Sequence, residues 1–101
     1  MNNIEIASIN TQDNINSFKP STQDEILASN PKIGDKFEIE VLDTCPFTLI
    51  TNISLVVGYV KNEMNIQGTS FEFYFLYTNN YGLDFFCIFE KSKIIKKLKG
   101  D

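Results

Sequence analysis

Two runs in the C-terminal third, FEFYFLYT (71–78) and LDFFCIFE (83–90), are apolar at odd and even positions alike. A strand with one wet face alternates apolar and polar residues, so strands like these need cover on both sides. The same stretch, 71–89, holds nine of the chain's thirteen aromatic residues. Each Phe it buries contributes roughly 1.5–3 kcal/mol, so this hairpin is expected to organise the core.

The length of the connection decides which side chains meet. A four-residue loop from Asn79 to Gly82 would set Tyr77 beside Asp84 and Phe71 beside Glu90, mixing charge into the aromatic face. A three-residue loop, Asn80-Tyr81-Gly82, puts Gly82 at the left-handed position that follows a type I turn. It pairs Tyr77 with Phe85, Phe75 with Cys87 and Phe73 with Phe89, and on the other face Leu76 with Phe86, Tyr74 with Ile88, Thr78 with Asp84 and Glu72 with Glu90. The three-residue loop is therefore expected, with Phe73, Phe75, Tyr77, Phe85, Cys87 and Phe89 on the core face. Tyr74, Leu76, Phe86 and Ile88 then form a second apolar patch. Either the chain's own helix or N-terminal arm covers that patch, or it is an interface.

Upstream, Thr22 followed by Glu25 is a capping-box pattern, and Asn30-Pro31 stops the helix it begins, which is expected from Thr22 to Ser29. Ile26 and Leu27 are its apolar contacts and the expected cover for the second patch. Thr11-Gln12-Asp13 repeats the same helix-start signal, and Asn3 to Ile9 reads as an edge strand or a loose arm. From Lys36 the period becomes two, with Phe37, Ile39 and Val41 on one side and Glu38, Glu40 and Leu42 on the other. A turn around Pro46 leads to a strand over Leu49–Val60, in which Leu49, Ile53, Leu55, Val57 and Tyr59 share a side and Gly58 marks a bend. A polar loop, 61–70, follows, with a short strand about Met64 to Gln67. The last segment, KSKIIKKLK, fits both a helix through Ile94, Ile95 and Leu98 and a strand through Ile94, Lys96 and Leu98. A charged edge strand is expected.

These elements describe a mainly β (α+β) chain: residues 1–20 as an arm or edge strand, and 21–101 as one β-rich domain. The expected architecture is a five-strand antiparallel meander curled into a small, partly open SH3-like or OB-like barrel with a short N-terminal helix. A chain of 101 residues has room for no second domain. The start MNNIEIASINTQDN lacks the pattern of a secretory signal, and no run approaches a membrane span, so a cytoplasmic protein with two free cysteines, Cys45 and Cys87, is expected.

Composition removes whole classes of chemistry. The chain has no His, no Arg and no Trp, and its nine basic residues are all Lys. Ser/His/Asp and Cys/His catalysis and His-bearing metal sites are thereby excluded. No phosphate-cradling glycine loop or nucleophile motif is present, so neither catalytic residues nor cofactor or metal ligands are expected. Residues 1–90 carry twelve acidic and four basic side chains, −8, while 91–101 carry five Lys against Asp101, +4. An acidic body disfavours nucleic acid and suits a basic protein partner.

The expected function is that of a small acidic, non-enzymatic binding protein that occludes a macromolecular partner, in the manner of a toxin-immunity protein or a phage inhibitor of host defence. Its expected partner-binding residues are Glu38 and Glu40, which steer, and Tyr74, Tyr81 and Phe86, which anchor. Two alternatives stand beside it. One is a nucleic-acid-binding small barrel using the Lys-rich C-terminus, and the other is a structural subunit that forms a homo-oligomer through the aromatic hairpin.

Overall fold

The computed structural model describes residues 15–62 and 73–99. After a helical turn at 15–17, helix α1 (Gln23–Ser29) leads into five strands: β1 (Lys36–Thr44), β2 (Thr51–Asn62), β3 (Phe73–Thr78), β4 (Asp84–Ile88) and β5 (Lys93–Leu98). A 3-10 turn, Phe89–Lys91, joins the last two. All pairings are antiparallel in the order β4-β3-β2-β1-β5, one open sheet whose two edge strands leave the curl unclosed. The first four strands form a meander and β5 returns to the free side of β1. This is the expected five-strand antiparallel sheet of a small, partly open barrel-like fold. The expected strand at Asn3–Ile9, the helix-start signal at 11–13, the short strand about Met64–Gln67 and the residues Phe71 and Glu72 lie outside the described residues.

The local signals act as read. Thr22 caps α1: its hydroxyl accepts from the Glu25 amide at 3.2 Å, and the Glu25 carboxylate accepts from the Thr22 amide at 2.8 Å. Asn30 closes the helix in the left-handed conformation, φ 48°. In the hairpin, the Asn79 amide donates to the Leu83 carbonyl, Gly82 takes φ +81°, and β3 meets β4 in the register set by the three-residue loop, from Thr78 with Asp84 to Tyr74 with Ile88. Phe73 and Phe89 do not pair, because the chain leaves the ladder after Ile88. The 3-10 turn instead carries the Phe89 ring inward to 4.7 Å from Phe75.

The core comprises Ile26, Phe37, Ile39, Val41, Val56, Val60, Phe75, Tyr77 and Phe89, with Cys87 and Ile94 packed against it. It therefore draws on β1, β2 and β3 rather than on the hairpin alone. Phe73 and Phe85, expected in the core, are half-exposed: Phe85 lies on the edge strand β4, and Phe73 begins β3 where no β4 residue pairs with it. On β2 the inward residues are Val56, Gly58 and Val60, and the apolar set Leu55, Val57 and Tyr59 faces out. No bulge falls at Gly58, for the pairing of β1 with β2 runs through it without interruption. A Cβ there would lie 2.8 Å from Ile39 Cδ1 and 3.1 Å from Phe75 Cβ, so glycine allows β1 and β3 side chains to close over β2. Leu49 and Ile50 belong to the turn before β2, where Leu49 is left-handed, φ 61°.

The ambiguity at 93–98 has a structural cause. β5 is a strand, but a bulge sets Lys96 opposite Glu38 and Ile94 opposite Ile39, skipping Ile95. The bulge reverses the alternation of faces, so neither a strict period of two nor a helical period describes the segment. Ile94 faces the core, and the Lys97 ammonium lies 5.9 Å from the centre of the Phe37 ring.

Candidate functional site

Helix α1 packs against β5 and the 3-10 turn, and so does not cover the second aromatic patch. Its position is set by the residue before its cap: the Ser21 amide donates to the Ser92 carbonyl and the Ser21 hydroxyl accepts from the Ile94 amide, both at 2.8 Å. A Glu25–Lys93 ion pair of 2.8 Å adds to this and holds the Glu25 carboxyl below its ordinary pKa, with the Thr22 amide as second cause. Ile26 enters the core, whereas Leu27, expected as cover, is 67% exposed. An open groove of about 520 Å³ remains between α1 and β5, lined in part by Ser29, Phe37, Ile94 and Lys97.

Among the described residues, then, nothing is packed over the outer face of the sheet across β2, β3 and β4, and the N-terminal arm, the other expected cover, lies outside them. Register places Leu55, Val57 and Tyr59 of β2, Tyr74 and Leu76 of β3, and Phe86 and Ile88 of β4 on this one face. Phe86 is 71% exposed and meets the Tyr74 ring edge-on at 5.6 Å; Leu55, Val57, Tyr59, Leu76 and Ile88 are also exposed. Contiguous apolar surface of this extent marks an interface more often than a neutral surface. The acidic side chains border it, Glu40 opposite Leu55 and Glu38 opposite Val57, while Lys36 lies opposite Tyr59, its ammonium 6.0 Å from the ring centre. Glu38 also approaches Lys96 at 3.9 Å.

Four of the five residues expected to bind a partner, Glu38, Glu40, Tyr74 and Phe86, thus share a face. Tyr81 does not. It sits at the tip of the β3–β4 loop, where its hydroxyl hydrogen-bonds the Cys45 thiol, which raises the Tyr81 pKa. Sequence reasoning missed Leu55, Val57 and Tyr59 as members of the site. Their shared side was legible, but whether that side pointed in or out was not.

Cys45 was likewise read as an ordinary free thiol. It is free, but its pKa is lowered from 9.0 to about 7 by the Thr48 hydroxyl first, then by the backbone amides of Thr48 and Phe47, with Tyr81 contributing last. No His is needed, because the turn from Cys45 to Ile50 aims its donors at the sulfur. Cys87 behaves in the opposite way, raised to about 11 by burial. Nearby, the buried Asp43 accepts from the Asn79 side-chain amide at 3.1 Å, and its other oxygen has no hydrogen-bond partner among the described residues.

Among the described residues, no group of three or more His, Cys, Asp or Glu side chains is placed to hold a metal ion, and no helix is long and apolar enough to cross a membrane. Compared with protein-family models, curated proteins and solved structures, the chain finds no match.

Proposed function

We propose that the chain is a non-enzymatic binding protein whose outer sheet face docks on a basic macromolecular partner and occludes it. The observation that supports this is the acid-bordered apolar face itself, an exposed Phe86 stacked edge-on against a half-buried Tyr74 and an aliphatic band with Glu38 and Glu40 along one side. Buried aromatic anchors supply affinity in such an interface, while acidic neighbours accelerate encounter with a basic partner and orient it. Inhibitory proteins such as toxin-immunity proteins and phage inhibitors of host defence act in this mode, and we place the chain in that class, working in the cytoplasm.

Binding of nucleic acid through the C-terminal lysines is the weaker reading. Lys93, Lys96 and Lys97 already face Glu25, Glu38 and Asp35 at 2.8, 3.9 and 3.0 Å, so phosphate would have to displace those carboxylates.

The test is affinity capture from the native host with wild-type protein and with a Glu38→Lys/Glu40→Lys variant, followed by association rates on the captured partner. The charge-reversed variant is expected to associate at least about tenfold more slowly at low salt, with the difference shrinking as salt rises. Equal rates at low salt, with the variant folded, would refute the steering role.

A further inference from the structure

The two edges of the sheet are unlike. β5 carries Lys93, Lys96 and Lys97 and a bulge, the devices that prevent a strand from adding another. β4 has none of them. It reads Asp84-Phe85-Phe86-Cys87-Ile88, without Lys or Pro, and its register with β3 is unbroken. Because the Asn79 amide donates to the Leu83 carbonyl, ladder alternation directs the N–H and C=O groups of Asp84, Phe86 and Ile88 away from β3. Among the described residues no strand lies on that side. The side chains are as open as the backbone: Phe86 and Ile88 are exposed on the outer face, and Phe85 is half-exposed on the inner.

We propose that β4 pairs antiparallel with β4 of a second copy of this chain, about a two-fold axis at Phe86, joining the two sheets into one. The strand is self-complementary in this arrangement. Phe86 pairs with its own counterpart, and Asp84 falls opposite Ile88 of the second copy, so that the two carboxylates lie at opposite ends and each outward backbone group faces a partner, the Ile88 carbonyl accepting also from its own chain's Cys87 thiol at 3.4 Å. Contact between β4 and β5 of the next copy would instead run head to tail, adding copies into a ring or a filament, and the bulge and lysines of β5 oppose it. The area is small. A Phe as exposed as Phe86 offers roughly 100–150 Å², and with Phe85, Ile88 and their neighbours two copies bury on the order of 1,000 Å². This is the low end for a specific interface, so the dimer is a weak one.

This pairing does not rest on the proposed partner, and separate variants report on the two. Light scattering and sedimentation over about 1–300 µM are expected to show the mass doubling with a midpoint in the tens of micromolar. Amide exchange at Phe86 and Ile88 should slow as concentration rises. Phe86→Lys should remain monomeric throughout, while Leu27→Lys, equally exposed but on α1, and Glu40→Lys should still dimerise. A wild type that stays monomeric, a Phe86→Lys variant that still doubles in mass, or exchange at Phe86 that is independent of concentration overturns the proposal. Growth beyond a dimer overturns the two-fold form in favour of head-to-tail contact.

Discussion

Truncating one phenylalanine on each face of the aromatic hairpin tests which face is core. Phe75 is fully buried, 5.7 Å from the Phe37 ring and 4.7 Å from Phe89. Phe75→Ala removes that burial and leaves a cavity between three strands, a change that costs about 3–5 kcal/mol. Set against a stability of about 5–15 kcal/mol for a domain of this kind, the variant retains little margin, and its melting point falls by roughly 15–30 °C. Phe86 is 71% exposed. With less than a third of the ring covered, Phe86→Ser forfeits about 0.5–1 kcal/mol of burial, and its edge contact with Tyr74 adds a few tenths more. That corresponds to a drop of roughly 4–8 °C. Thermal and urea unfolding followed by circular dichroism, at concentrations where the chain is monomeric, measures both. If Phe86→Ser destabilises the protein as much as Phe75→Ala does, the outer face is covered, and the docking surface and the dimer are both wrong.

Two further outcomes follow from close packing and from local hydrogen bonding. Gly58→Ala places a methyl 2.8 Å from Ile39 Cδ1 and 3.1 Å from Phe75 Cβ. Overpacking of about 1–3 kcal/mol outweighs the gain of roughly 0.5–1 kcal/mol from replacing a strand glycine, so the urea midpoint should fall; a rise would show that β1 and β3 yield easily. Alkylation by iodoacetamide should modify Cys45 with a pH midpoint near 7 and spare Cys87, whose thiol is raised to about 11. By linkage, a thiol acidified by folding stabilises the native state fully above its unfolded pKa, 9.0, and that contribution is lost as pH falls through about 7. A midpoint near 9 in the folded protein would remove the role of the Cys45–Ile50 turn.

The residues themselves determined whatever depends on neighbours close in the chain. The Thr22–Glu25 box and Asn30 delimit α1, and the alternation of Phe37, Ile39 and Val41 identifies a strand and its buried side. Loop length sets the whole β3–β4 register, and Gly82 together with the unbroken aromatic face selects the three-residue loop over the four-residue one. Composition alone removed His- and Arg-dependent chemistry. Tertiary structure decided the rest. β2 is apolar on both sides, so its period reveals two faces without telling which is covered; the inward approach of Ile39 and Phe75 over Gly58 chooses Val56 and Val60 and leaves Leu55, Val57 and Tyr59 outside. The position of α1 depends on hydrogen bonds from Ser21 to Ser92 and Ile94, residues about seventy positions away, and no local pattern encodes them. The bulge in β5 and the ion pairs of its lysines arise only when β5 lies beside β1. Hence the outer apolar face was half legible: its acidic border and hairpin residues follow from period and register, while its extent over β2, and the absence of α1 from it, follow from which surfaces the folded sheet had already buried.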